Sequence, residues 1–162
     1  MPVAIPIAAL ALIALAALAA AARRWLVIVR VDGISMQPAY EPGDRVLVRR
    51  CGAGRLRRGQ VVVFERPDER TGWSELPAPD GRAAGRRWYI KRVAAVPGEP
   101  VPAAVLGALG VAAETVPAGS LVVLGDNPRS DDSRRWGFVP GERVLGTPIR
   151  RLAAAAQPVR SS

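Results

Sequence analysis

The 162-residue chain has no histidine, one cysteine and, among its 23 basic residues, a single lysine. Each scarcity excludes a class of chemistry. Without histidine there is no Ser-His-Asp triad, no Cys-His dyad and no His-ligated zinc site. With one cysteine there is no internal disulfide and no cysteine cluster for a metal. Cys51 reads as a small packing residue or an incidental thiol, since no imidazole is available to activate it. The other 22 basic residues are arginine, in a chain rich in Ala, Gly and Pro that carries arginine almost wherever a cation is tolerated. Arginine cannot be deprotonated in a protein, whereas a desolvated lysine can. Lys91 is therefore a candidate for a position that needs a neutral amine, unless the lone lysine falls there by chance.

The net charge is +9, spread over scattered or paired arginines such as Arg23-Arg24, Arg49-Arg50 and Arg86-Arg87. No helix-turn-helix, zinc finger or aromatic-interleaved RNA motif accompanies them, so lipid headgroups or plain solubility account for the charge better than nucleic acid. Residues 3–22 carry no charge. Twenty such residues, about 30 Å as a helix, reach across a bilayer. Pro6 falls in the first turns, where proline is tolerated. The apolar run is longer than a signal-peptide core and lacks a basic leader. Residues 1–24 are expected to form a transmembrane anchor and residues 25–162 a separate domain. The basic flank Arg23-Arg24 follows the anchor, and on charge bias alone it would hold that domain in the cytoplasm.

Beyond the anchor the apolar runs are short and separated by turn residues such as Pro42-Gly43-Asp44 and Pro97-Gly98, a pattern of strands rather than long helices. Strands are expected at 25–31, 45–49, 60–65, 87–96, 120–124 and 143–152. Residues 67–85 read as a surface loop and 157–162 as a frayed tail. Residues 101–113 are apolar but small and fit no type.

Three segments carry candidate chemistry. In Val31-Asp32-Gly33-Ile34-Ser35-Met36-Gln37-Pro38, a glycine permits a sharp turn that can expose the Ser35 hydroxyl and converge backbone N–H groups. On its own such a serine is commonplace. In Trp88-Tyr89-Ile90-Lys91-Arg92-Val93, strand alternation puts Lys91 on one face with Tyr89 and Val93, and Ile90 with Arg92 on the other. Apolar neighbours favour the neutral amine, which a general base near neutral pH requires. A solvated lysine protecting a sheet edge is the alternative. The third segment, 124–137, packs two serines, three aspartates and three arginines into one loop. It is either a solvated turn or a brace for a site.

Taken together, these segments resemble the type I signal peptidases, membrane serine proteases with a Ser–Lys dyad. The resemblance rests on Ser35-Met36-Gln37-Pro38 followed by Gly43-Asp44, on Gly59-Gln60-Val61-Val62-Val63-Phe64, and on Tyr89-Ile90-Lys91-Arg92-Val93 followed by Pro97-Gly98-Glu99. It is completed by Gly125-Asp126-Asn127, Ser130-Asp131-Asp132-Ser133-Arg134 and Gly137-Phe138-Val139-Pro140. Four ordered segments cover most of 34–140. Pro128 and Gln60 depart from the family pattern, and the β-rich insertion of larger members is largely missing.

The resemblance implies a mainly β, antiparallel catalytic domain behind one N-terminal transmembrane helix. It implies a single-pass plasma-membrane protein with its catalytic domain on the extracytoplasmic side. The activity implied is cleavage of signal peptides from exported preproteins, without metal or cofactor. Ser35 would be the nucleophile and Lys91 the general base. Gly33 would lie at the oxyanion site, where any donor must be main chain, and Ser130 would orient the lysine. Asp126 with Arg92 and Asp132 with Arg134 would brace the site. Met36 and Pro38 would face substrate or membrane. The partners implied are a preprotein or leader peptide with small residues before the cut, and the lipid bilayer; no oligomeric state follows. A dedicated maturation protease on the same dyad, and a catalytically idle membrane-tethered peptide-binding β module, are the alternatives. A self-cleaving repressor would need a DNA-binding helix pair where the apolar segment stands.

Overall fold

Three consecutive valines and a phenylalanine make β3 (Val61–Glu65) the middle strand of a seven-stranded antiparallel sheet of order β1-β2-β7-β3-β4-β5-β6. The computed structural model describes residues 4–73, 86–109 and 114–152. Its other strands are β1 (Leu26–Arg30), β2 (Arg45–Arg50), β4 (Trp88–Ala95), β5 (Ser120–Leu124), β6 (Val139–Pro140) and β7 (Val144–Leu152). The helices are α1 (Ala4–Trp25), α2 (Ala103–Leu109) and α3 (Ser133–Trp136). Every strand expected from the sequence is present to within a residue or two, because short β-branched runs between turn residues leave little else for the chain to do. Residues 101–113, which fitted no type, contain α2. Part of the expected loop (74–85) and the whole of the expected tail lie outside the described residues.

Because side chains alternate across a strand, β3 faces two cores. Val63 packs with Val29, Met36, Val46 and Ile90 on one side, and Val62 and Phe64 pack with Val93, Leu121 and Val139 on the other. A strand covered on both faces reads as a continuous apolar run rather than an alternating one. In the β3–β4 register Val62 sits opposite Lys91 and Val63 opposite Ile90.

β7 joins the two halves of the sheet, pairing with β2 through Gly146–Leu152 and with β3 through Val144–Gly146. Gly146 lies at the junction, where a Cβ would stand 2.0 Å from the Arg49 carbonyl oxygen, so no larger residue fits. The register shifts between Leu47 and Val48, opposite Arg150 and Pro148. Pro148 has no N–H to give the ladder, and a bulge is where a strand tolerates it.

α1 precedes the sheet, and its Leu10, Leu12, Ile13, Leu15 and Leu18 are 63–69% exposed. Among the described residues no helix is long and apolar enough to cross a membrane.

Candidate active site

The turn after β1 is folded back by its own backbone. Val31 N–H donates to the Asp44 carbonyl at 2.8 Å and Gly43 N–H to the Val31 carbonyl at 2.9 Å, closing residues 31–44 into a loop. Asp44 is buried and its carboxylate takes the Glu41 N–H at 2.9 Å and the Arg151 Nε at 3.1 Å. Gly33, at φ +86°, provides the turn that an L-residue resists, and Ser35 follows it, partly exposed. Hydrogen bonds from Gln37 N–H to the Ile34 carbonyl and from Tyr40 N–H to the Met36 carbonyl fix the rest of the turn. The Gln37–Pro38 peptide is cis.

Met36 is not where the sequence reading put it. It is fully buried against Val29, Val46, Val63 and Ile90, so it faces neither bilayer nor substrate. The turn reverses direction at this point, and the long thioether fills the gap beneath it. Pro38 is exposed.

Lys91 reaches the same point from β4. Its Nζ lies 2.6 Å from Ser35 Oγ, across 56 residues of sequence. The lysine is 1% exposed, among the largest side chains buried in the protein. Its nitrogen lies 4.8 Å from the Tyr89 ring centroid, and Tyr89 itself stacks on Trp136 at 5.2 Å. Burial pushes the Lys91 ammonium down to about 8, against the opposing pull of Asp132 and Asp131, while Arg134 lowers it further. At neutral pH roughly one lysine in ten is then uncharged, against about one in several thousand for a free side chain.

The third segment closes over the turn. Asn127 N–H donates to the Ser35 carbonyl at 3.0 Å and Asn127 Nδ2 to the Ile34 carbonyl at 3.2 Å. Gly125 makes this approach possible, for a Cβ there would lie 2.1 Å from Ser130 Oγ and 2.5 Å from the Ser35 oxygen. Asp132, fully buried, accepts from Gly125 N–H at 2.8 Å and from Arg134 Nε and Nη2 at 2.9 and 2.6 Å. Burial alone would raise its carboxyl, but the hydrogen bonds from Arg134 and the backbone outweigh it and hold the group below its ordinary value. Arg92 and Asp126 form a two-pronged pair at 2.8 and 2.7 Å. The Arg92–Asp126 and Arg134–Asp132 contacts are thus both present. Ser130 lies beside Gly125, and its hydroxyl donates to the Asp131 carbonyl at 3.3 Å. Gly125, Asn127 and Tyr89 were not singled out from sequence as site residues. The Gly125-Asp126-Asn127 run was visible, but nothing in it says which atoms of the distant turn it would meet.

A cleft of about 640 Å³ reaches Tyr89, whose ring lies beside Lys91 Nζ, and is lined by Val27–Arg30 and Asp32 on one wall and by Arg66 and Arg86–Tyr89 on the other. β5 pairs with β4 only from Arg92 onward, and β1 has β2 as its one neighbouring strand. Among the described residues, each wall therefore offers a strand edge to an extended chain. One wall is stiffened by buried Glu65, which binds Arg86 at 2.6 Å and Arg143 at 3.1 Å.

Residues 4–106 and 104–152 match the family model described as "Signal peptidase, peptidase S26". A probable signal peptidase I-1 of Synechocystis sp. is 30% identical over 143 residues, covering 76% of this chain and 69% of its own. A signal peptidase I of Leptolyngbya laminosa is 31% identical over 152 residues, covering 76% and 70%. A solved signal peptidase I structure from Enterococcus faecalis V583 matches 59% of this chain and 97% of its own at 25% identity, with a TM-score of 0.38. The family model takes in nearly all of the described residues, and the chain belongs to the signal peptidase family, peptidase S26, whose members are serine endopeptidases.

Proposed function

We propose that the chain is a membrane-anchored endopeptidase that removes signal peptides from preproteins, with Ser35 as nucleophile and Lys91 as general base. The observation that carries this reading is the 2.6 Å contact between Lys91 Nζ and Ser35 Oγ at a lysine with almost no solvent exposure. With the amine neutral, the Ser35 hydroxyl donates to Nζ. The lysine takes that proton as Oγ attacks the scissile carbonyl, and the new C–O bond forms a tetrahedral oxyanion. The Ser35 N–H, which the turn's own hydrogen bonds leave out, and main chain beside Gly33 are the donors assigned to that oxyanion. Lys91 next protonates the leaving amine as the C–N bond breaks. Water, losing its proton to the same lysine, then releases the acyl group. Asp132–Arg134 and Arg92–Asp126 hold the frame without touching the reacting atoms, and Ser130 is assigned a positioning role toward the lysine.

The substrate enters extended, pairing with the strand edges along the cleft, which is the usual way a sheet edge takes a peptide. A preprotein with small residues before the cut is the substrate assigned to the chain, in line with the signal peptidase relatives. Residues 1–24 form the anchor and 25–162 the catalytic domain. The exposed leucines of α1 support the first assignment, since nothing among the described residues covers them. The catalytic domain faces away from the cytoplasm, where exported chains emerge; a reporter fused after Ser162 and active only in the cytoplasm would overturn that orientation. The central test is cleavage, in detergent or liposomes, of a preprotein bearing Ala-x-Ala before its cut. The wild type should cut, while Ser35→Ala and Lys91→Arg should fold and lose activity by about 10²-fold or more. A cutting Lys91→Arg enzyme would refute the mechanism.

A further inference from the structure

Beside the end of α1, and sharing no lining residue with the cleft, a pocket of about 170 Å³ is lined by Trp25, Arg49, Arg50, Cys51, Arg55, Gln60 and Thr147. The sheet brings these residues together. Arg49 pairs across to Leu26, the first residue after α1, and to Thr147 of β7, while Arg50 ends β2 and Arg55 closes the short turn that follows. Among the described residues the three guanidinium groups have no carboxylate partner, in contrast to Arg92, Arg134 and Arg143, which are all paired. Like charges gathered in a concavity repel one another and raise the local potential for an anion.

Three further features say which anion. The guanidinium fork matches phosphate oxygens two at a time, and the Thr147 hydroxyl and Gln60 amide add neutral donors. The volume lies below the roughly 300–1,000 Å³ of pockets that enclose a whole small molecule, so it suits a group presented from outside. Trp25, 60% exposed, is the last residue of α1 and lines this pocket, and exposed Arg24 precedes it. An indole between hydrocarbon and cations is the side-chain order of a membrane interface.

We infer that this pocket binds the phosphate of an anionic phospholipid headgroup and so fixes the catalytic domain against the bilayer beside its anchor. The inference rests on the reading of α1 as the anchor. Bound there, a lipid would remove the rotational freedom of the domain about the end of α1 and hold the cleft at a constant height above the membrane.

The test uses the full chain in vesicles of phosphatidylcholine alone or with phosphatidylglycerol added. Flotation reports the anchor, and the thermal midpoint of the β domain reports the pocket. Wild type should float with both vesicles, and phosphatidylglycerol should raise its midpoint by about 4 °C or more. The variant Arg49→Gln/Arg50→Gln/Arg55→Gln should float equally and lose that rise. A charge-matched control, Arg45→Gln/Arg70→Gln/Arg150→Gln, should keep it. Wild type failing to float with neutral vesicles would sink the anchor and this inference together. Flotation with no rise, or a rise that both triple variants lose alike, would overturn the pocket and leave the anchor standing. A rise reproduced by inorganic phosphate on neutral vesicles would overturn the lipid assignment in favour of a soluble anion.

Discussion

Lys91 lies over the ring of Tyr89, two residues back on the same face of β4, with 4.8 Å between the nitrogen and the ring centroid. The ring favours the ammonium while burial opposes it, and burial wins, since the group falls to about 8. A base that must be neutral gives kcat/KM rising tenfold per pH unit on the acid side and levelling above about 8. Replacing Tyr89 with leucine removes the ring's attraction for the cation and should move that limb to lower pH by up to about one unit. A pH–rate profile of wild type and Tyr89→Leu on one preprotein checks both statements. A profile flat from pH 6 to 9 would exclude Lys91 as the titrating base.

The same shift has a stability consequence. Between about 8 and the ordinary lysine value of 10.5, the unfolded chain holds a proton that the folded chain has released. Stability therefore rises with pH across that window, and below about 8 the folded state carries the full cost of burying the charge, on the order of 3 kcal/mol. Lys91→Met, which keeps the bulk and drops the charge, should be more stable than wild type at pH 7, and the gap should narrow by pH 10. Urea unfolding at the two pH values measures this directly.

Gly125 has no room for a side chain, with Ser130 Oγ 2.1 Å and the Ser35 oxygen 2.5 Å from any Cβ. The Ser130 hydroxyl can swing aside, but the Ser35 backbone cannot move without moving the hydroxyl proposed as nucleophile. Gly125→Ala should cost about 1–3 kcal/mol of stability and lower kcat/KM by about 10²-fold at unchanged Lys91 titration. The midpoint of urea unfolding and the pH profile separate the two effects.

Met36 is fully buried in one of the cores, so truncation there acts on folding. Met36→Ala should lose about 2–5 kcal/mol of stability while leaving vesicle flotation unchanged. Unaltered stability with impaired flotation would restore the membrane-facing role expected from sequence.

The sequence by itself determined the strands, the Ser35 turn, the candidate status of the lone lysine and the family resemblance. Strand alternation alone put Lys91 on the face of Tyr89 and Val93, and the fold keeps it there, because a period of two survives any packing of the sheet. Local pattern could not place Met36, since its neighbours in sequence are turn residues and its neighbours in space come from β1, β2, β3 and β4. It could not find the contact of Gly125 and Asn127 with Ser35 either, nor the gathering of Arg49, Arg50 and Arg55 beside Trp25. Those depend on distant strands being brought into register, and only closure of the sheet through β7 fixes which backbone atoms meet. The chemistry of each residue was local information, and its partner was not.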